Sequence, residues 1–184
     1  MKGDPESIAA LAHAECDTTA KTNNGHPALL AAARSGSAAA VQAVLDAGDL
    51  ELDARDGNGH TAFLWACFKG NPESMVQLVR AGCDKTAKAN DGRTALMMAA
   101  TSRSAAMVQA VLAAGGVELE ARDEDGYTAF LWACDKGDPE CIAALEQAGC
   151  DKTAKANDGQ TALMVAARSG SSAGAGAHRA PPAS

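Results

Sequence analysis

The chain has 184 residues, a formal net charge of −7 and 47% apolar residues, which is enough apolar material for a folded core. The acidic balance argues against a nucleic-acid-binding surface, which needs clustered lysine and arginine, and no apolar run approaches the length of a membrane span. Met1 to Leu11 lacks the basic-then-apolar order of a secretory signal. We therefore expect a cytoplasmic location, with the nucleus as the alternative.

The sequence is built from a repeated unit of about 33 residues. Equivalent Pro-Ala or Thr-Ala pairs begin 33 or 34 residues apart, at Pro27, Thr61, Thr94, Thr128 and Thr161. Longer segments recur every second unit, since Thr61–Cys67 and Thr128–Cys134 both read T-A-F-L-W-A-C. This pattern is typical of a stacked array, in which each unit completes its core only against its neighbours.

Each unit predicts a turn, a short helix and a longer second helix. The unit that starts at Asp56 opens with an Asp-Gly-Asn-Gly turn, and Thr61 is placed to cap a first helix that ends at Gly70. Asn71-Pro72-Glu73 starts a second helix, which Gly82 closes. The spacing of the apolar residues on this second helix predicts a buried stripe: Met75, Val76, Leu78 and Val79.

In chain order, the predicted array over residues 1–171 consists of a partial unit (2–22), four full units (23–55, 56–88, 89–122 and 123–155) and a partial unit (156–171), before a disordered Gly/Ala/Pro-rich tail (172–184). In the last unit, Thr161 to Gly170 is predicted as a first helix. Because both ends fall inside a unit, we expect a segment of a longer array. A frameshift is the alternative: Gly174–Arg179, read one nucleotide on, permits Val-Gln-Ala-Leu-Ile-Glu, which resembles the second-helix segment Val41–Asp46.

Arg103 and Glu15 interrupt the pattern, because they stand where sister units have glycine. If the backbone needs a positive φ there, each residue destabilises the fold by about 1 kcal/mol. We therefore expect local softness near Arg103.

No catalytic motif is present, and we expect neither a cofactor nor a metal site. Five of the six cysteines fall at equivalent positions 67 residues apart, which favours buried thiols that act as small apolar side chains. Cys141, alone on its predicted helix, is the one candidate for an exposed thiol.

The first-helix motifs T-A-F-L-W-A, T-A-L-M-M-A and T-A-L-M-V-A resemble the T-P-L-H-x-A motif of the ankyrin repeat, with Ala in place of Pro and Leu or Met in place of His. The resemblance covers about Lys2 to Ser171. It implies an all-α ankyrin-repeat solenoid of stacked helix-turn-helix units with Asx-Gly turn tips. It also implies a protein partner, usually bound by the turn tips and by the exposed face of the first helices on the concave side.

Aligned to that family pattern, the candidate partner-binding residues are His26, Arg34, His60, Phe68, Lys69, Arg93, Thr101, Glu124, Asp125, Tyr127, Asp135 and Lys136. Phe68 and Tyr127 are the expected exposed aromatic anchors, although Phe68 has the alternative role of covering a neighbouring helix. Trp65 and Trp132 are expected to pack between repeats.

These observations favour a non-catalytic protein-recognition module that binds neither nucleic acid nor membrane. The alternatives are a structural spacer within a longer array, which the near-identity of sister units favours, and the targeting array of a larger enzyme-containing protein. We expect a monomer, with uncapped ends that offer a route to end-to-end association.

Overall fold

A computed structural model describes residues 27–48 and 50–172. Within these ranges the chain forms α-helices and no strand beyond an isolated bridge: α1 Ala28–Ser35, α2 Ala38–Asp46, α3 Ala62–Phe68, α4 Pro72–Ala81, α5 Ala95–Thr101, α6 Ala105–Ala114, α7 Ala129–Lys136, α8 Pro139–Gln147 and α9 Ala162–Ser172. Odd-numbered helices are the first helices of successive units, and even-numbered helices are the second.

The helices begin at the caps that the sequence predicts. The hydroxyl of Thr61 accepts a hydrogen bond from the backbone N–H of Leu64, and Thr94 and Thr128 do the same three residues ahead of themselves. Second helices begin at an Asn, Ser or Asp cap, as when the Asn71 side chain accepts from Ser74 N–H. These short polar caps mark where the helices after α1 start, whereas α1 follows Pro27 without a side-chain cap. The same pair of helices therefore recurs along the chain.

The first helices pack side by side in one row, and each second helix packs against the first helix of its own unit. Contacts between neighbouring first helices are more extensive than those between neighbouring second helices, so the stack curves toward the first-helix row. The largest side chains between units, including Phe63, Leu96 and Leu131, are fully buried. The exposed side of the odd-numbered helices is therefore the concave face.

Hydrogen bonds link successive turn tips at equivalent positions. Asn90 N–H donates to Asn58 O at 2.9 Å, and Asn157 N–H donates to Asp125 O at 2.9 Å. The Arg55 guanidinium adds a second link, because it donates both to Gly59 O at its own turn tip and to Lys88 O at the next one. The tips are thus held in register, which fixes the side chains that they present.

Arg103 has a φ of 59° and is, among the described residues, the one non-glycine with a positive φ. The glycines at its equivalent positions have φ values of 73° (Gly36), 66° (Gly70) and 62° (Gly137). The positive φ is the condition from which local softness near Arg103 was expected, and the softness itself stays a prediction. Its guanidinium donates to Lys136 O at 2.7 Å, which ties this turn to the next unit.

Three expectations are wrong in detail. Cys141 is 0% exposed, because it lies on the same face of α8 as Ala144 and Leu145, at helical spacing. Val76 is 38% exposed, since only Met75, Leu78 and part of Val79 face the core. Helix α9 continues past Gly170 to Ser172.

The candidate residue His26, the departure at Glu15 and the frameshift segment Gly174–Arg179 lie outside the described residues. The described cysteines are free and buried, and burial raises the pKa of the Cys141 thiol to about 11. They therefore contribute as apolar side chains, as the sequence predicts.

Candidate functional site on the concave face

Trp65 organises a cluster on the side of α3 that α1, α4 and α5 leave uncovered. The guanidinium carbon of Arg34, from the preceding unit, lies 5.1 Å from the Trp65 ring centroid, and Lys69 Nζ lies 5.9 Å from it. The rings of His60 and Phe68 lie 5.1 and 5.6 Å away, the latter edge-on. These five residues form the first tryptophan cluster, with cations and aromatic rings together at the surface.

Trp132 organises an equivalent cluster two units further along. The Arg93 guanidinium carbon lies 4.8 Å from its ring centroid, Lys136 Nζ lies 5.4 Å away and the Tyr127 ring lies 5.1 Å away. These four residues form the second tryptophan cluster. Each cluster therefore takes one arginine from the preceding unit and one lysine from the end of its own first helix.

An aspartate at the turn fixes each tryptophan. The Trp65 indole N–H donates to Asp56 Oδ2 at 2.9 Å, and the Trp132 indole N–H donates to Asp123 Oδ2 at 2.8 Å. The other oxygen of each carboxylate accepts two backbone N–H groups of its own turn. The ring, the turn and the first helix are thus locked together, so the cluster is organised before any partner binds.

The two aspartates differ in their pKa. Burial acts to raise the pKa of Asp56, but the His60 N–H, the Trp65 indole and the nearby His60 side chain together hold it below its usual value. Burial raises the pKa of Asp123 above its usual value, and the neighbouring Asp125 charge adds to this against the hydrogen bonds that oppose it. The same scaffold therefore gives its two carboxylates opposite shifts.

The second cluster continues into an ion-pair network. Asp135 lies 3.1 Å from Lys136 Nζ and 3.1 Å from Arg168 Nη2. Arg168 also donates to the Tyr127 hydroxyl at 3.0 Å. The half-buried carboxylate of Asp135 thus neutralises part of the positive charge around Trp132.

The structure brings most of the sequence-predicted partner-binding residues together around the two tryptophans and leaves three of them apart. Arg34, His60, Phe68 and Lys69 surround Trp65, whereas Arg93, Tyr127, Asp135 and Lys136 lie in or beside the second cluster. Three others stand apart. The Thr101 hydroxyl donates to Met98 O in its own helix, and Glu124 and Asp125 are exposed at a turn tip. Those three residues share no contact with either ring.

Tyr127 is not the exposed anchor that the sequence suggests: only 8% of it is exposed, since its ring packs on Trp132 and its hydroxyl accepts a hydrogen bond from Arg168. Phe68 is 39% exposed, as expected. Trp65 and Trp132, which were expected from the sequence to pack between repeats, pack against the core but remain partly accessible at the surface, and they were not among the predicted site residues.

No helix in the described ranges is both long and apolar enough to cross a lipid bilayer. The residues that the structure describes also contain no group of three or more His, Cys, Asp or Glu side chains arranged to hold a metal ion.

A comparison with known families places this architecture. A family model of ankyrin repeats (three copies) matches residues 1–89, 66–156 and 96–175. A comparison with curated proteins gives no match. Ankyrin repeats are generally non-catalytic modules for protein–protein interaction. The helix pairs, the capped turns and the family match together show that the chain belongs to the ankyrin repeat family.

Proposed function

We propose that this chain is a non-catalytic recognition module that binds one protein partner through its concave face. The observation that carries the proposal is the pair of tryptophan clusters, in which half-buried rings and flanking cations lie together on the exposed side of the first helices. Tryptophan, tyrosine and arginine are the residues over-represented among interface positions that dominate binding energy.

Pre-organisation supports the same proposal. Because Asp56 and Asp123 already hold the indole rings, a partner has little ordering to impose on these side chains. Binding to a rigid surface loses less conformational entropy than binding to a mobile one. The contact residues that we propose are Arg34, Trp65, Phe68, Lys69, Arg93, Trp132 and Lys136, with the turn-tip residues Glu124 and Asp125 at the edge.

We also propose that the chain is a monomer in the cytoplasm and that its partners include neither nucleic acid nor a membrane. The repeat units are proposed to have the boundaries given above. End-to-end association is the alternative oligomeric form. Leu163 and Met164 on α9 would carry it, since they are exposed where their equivalents Leu96 and Met97 are fully buried.

Affinity capture from an extract of the source cells tests the proposal. The bait is the whole chain, and the test variant is Arg34→Ala with Phe68→Ala on the concave face. The control variant is Arg80→Ala with Val76→Ala, which removes the same two kinds of exposed side chain from the outer helix α4. Circular dichroism verifies that both variants are folded.

We expect a protein that the original chain and the outer-face control retain and that the concave-face variant loses by about tenfold or more. Equal recovery of every captured protein by all three baits would contradict the proposal and would favour the structural spacer.

A further inference from the structure

Four cations flank the two tryptophans on the concave face, although the whole chain carries a net charge of −7. Arg34 and Lys69 flank Trp65, and Arg93 and Lys136 flank Trp132. The carboxylates closest to the tryptophans are Asp56 and Asp123, whose oxygens already accept the indole and backbone N–H groups. Basic side chains thus gather around both rings, whereas Asp91 and Asp135 lie only beside the cations of the second.

The first cluster holds the least compensated of these cations. Within the described ranges, neither Arg34 nor Lys69 forms an ion pair with a carboxylate. Around the second cluster, Arg93 is paired with Asp91 at 2.8 Å and Lys136 with Asp135 at 3.1 Å. The donors of Arg34 and Lys69 therefore remain available to a carboxylate of another molecule.

We infer that the partner presents an extended acidic segment, whose carboxylates bind the unpaired Arg34 and Lys69 at the first cluster and share Arg93 and Lys136 with Asp91 and Asp135 at the second. This inference rests on the proposed function and specifies its partner. Phe68 provides an apolar contact beside the first pair of cations. Opposite charge across the interface speeds association and sets the register of the bound segment.

The repeat also sets the spacing of the acidic groups. The two clusters lie on α3 and α7, with α5 packed between them. Packed helices have axes about 8–10 Å apart, so the clusters are about 16–20 Å apart. An extended chain advances about 3.3 Å per residue, so acidic pairs about six residues apart span both clusters.

Single-stranded nucleic acid is also an acidic ligand, and it binds cations and aromatic rings. The face of a tryptophan ring must be open for a base to stack on it. The Trp65 ring already contacts Arg34, Lys69, His60 and Phe68, which favours a ligand that binds the cations and not the ring face.

Fluorescence anisotropy with labelled peptides tests the inference. The first peptide carries two Glu-Glu pairs about six residues apart, the second has the same composition with adjacent pairs, and the third replaces Glu by Gln. A thymidine oligonucleotide of equal charge is the fourth ligand. The protein is the whole chain, the variant Arg34→Gln with Lys69→Gln, and the control Arg80→Gln with Lys152→Gln, which removes two exposed cations away from the clusters.

We expect the spaced peptide to bind about tenfold more tightly than the adjacent-pair peptide, and to lose about tenfold in affinity to the concave-face variant but not to the control. Equal loss in both variants, no effect of spacing, or tighter binding of the oligonucleotide would each overturn the inference.

The capture experiment separates the two proposals. If the captured protein is lost by the concave-face variant but no acidic peptide binds in the expected way, the inference falls and the recognition module stands. If capture is the same for every bait, the recognition module itself falls.

Discussion

The two tryptophan clusters share a framework and differ in what they present. Each has an indole held by an aspartate nine residues earlier, a threonine cap and a lysine at the end of the first helix. Around Trp65 stand His60 and an exposed Phe68, where the equivalents around Trp132 are Tyr127 and Asp135. The first cluster is open and cationic, and the second is closed by an ion-pair network.

This difference shows that, within one repeat, different residues form the helical framework and the surface chemistry. The helical framework comes from residues that recur in most units, such as the threonines that cap α3, α5 and α7 and the buried leucines Leu64, Leu96 and Leu131. The surface chemistry comes from positions where sister units differ, such as Phe68 and Asp135. A partner can therefore distinguish two units whose backbones are equivalent, and the first cluster is the stronger candidate anchor.

The largest change in stability is expected from removing the aspartate–indole hydrogen bond that both clusters share. Asp123→Ala should lower the free energy of unfolding by about 2–3 kcal/mol, because it leaves the Trp132 indole N–H and the buried Tyr127 N–H without their acceptor. Urea denaturation measures the change. Trp132→Met combined with Asp123→Ala should cost less than the sum of the single changes, since two units without tryptophan have Ala89 with Met98 and Ala156 with Val165 at these positions.

The same comparison of two single variants with their combination (a double-mutant cycle), made with Asp56 and Trp65, is the matched control. Purely additive effects in both cycles would show that the aspartate–tryptophan bond does not couple the turn to the helix.

Phe68→Asp should convert the open cluster into a closed one. The new carboxylate would pair with Lys69 as Asp135 pairs with Lys136, so the affinity for the spaced acidic peptide should fall about tenfold. Asp135→Ala is the reciprocal change and should raise that affinity. Anisotropy titrations measure the affinity of both variants for the spaced acidic peptide. Unchanged affinity in both would show that the charge difference between the two clusters does not determine peptide binding.

Arg103→Gly should raise the melting temperature, because glycine adopts a φ of 59° without the strain of a side chain. Arg103→Ala keeps the strain and loses the bond to Lys136 O beside the second cluster. The glycine variant should therefore be more stable than the alanine variant by about 1 kcal/mol. A lower melting temperature for Arg103→Gly than for the original chain would contradict this account.

The smallest effect is on the acid titration of the two aspartates. The pKa of Asp56 lies below its ordinary value of 3.8, so its stabilising contribution is complete above that pH and is lost as the pH falls through the folded-state pKa. The pKa of Asp123 is raised, so protonation favours the folded state and its contribution improves as the pH falls toward 3.8. Carboxyl-carbon NMR titration should show Asp123 protonating at higher pH than Asp56, and the reverse order would contradict the assignment.

The sequence is sufficient to predict where the helices begin and end, because the capping residues act within a few positions of the chain. Thr61, Asn71 and Gly82 mark a start or an end through a few backbone positions, and the structure confirms all three. The site is harder to predict, because exposure depends on how neighbouring units cover a side chain. Tyr127 is covered by such contacts, whereas Trp65 stays half-buried at the surface.

One signal for the site was nevertheless present in the sequence. Asp56 and Trp65 occur together, as do Asp123 and Trp132, whereas the intervening units have neither residue of the pair. A half-buried indole N–H needs an acceptor, so this alternation indicates a surface tryptophan bound to its own turn. The partner's identity has no such signal, since it depends on a second molecule.

The most direct test of a binding surface organised by the tryptophan clusters uses their indole N–H groups, since the chain has only two tryptophans. Their NMR signals would be followed while the spaced acidic peptide, and then the captured partner, is added, with Trp65→Phe to assign the two peaks. We expect both signals to shift in step with binding and the Trp65 signal to move further. Complex formation that leaves both signals unchanged would contradict a binding surface organised by the tryptophan clusters.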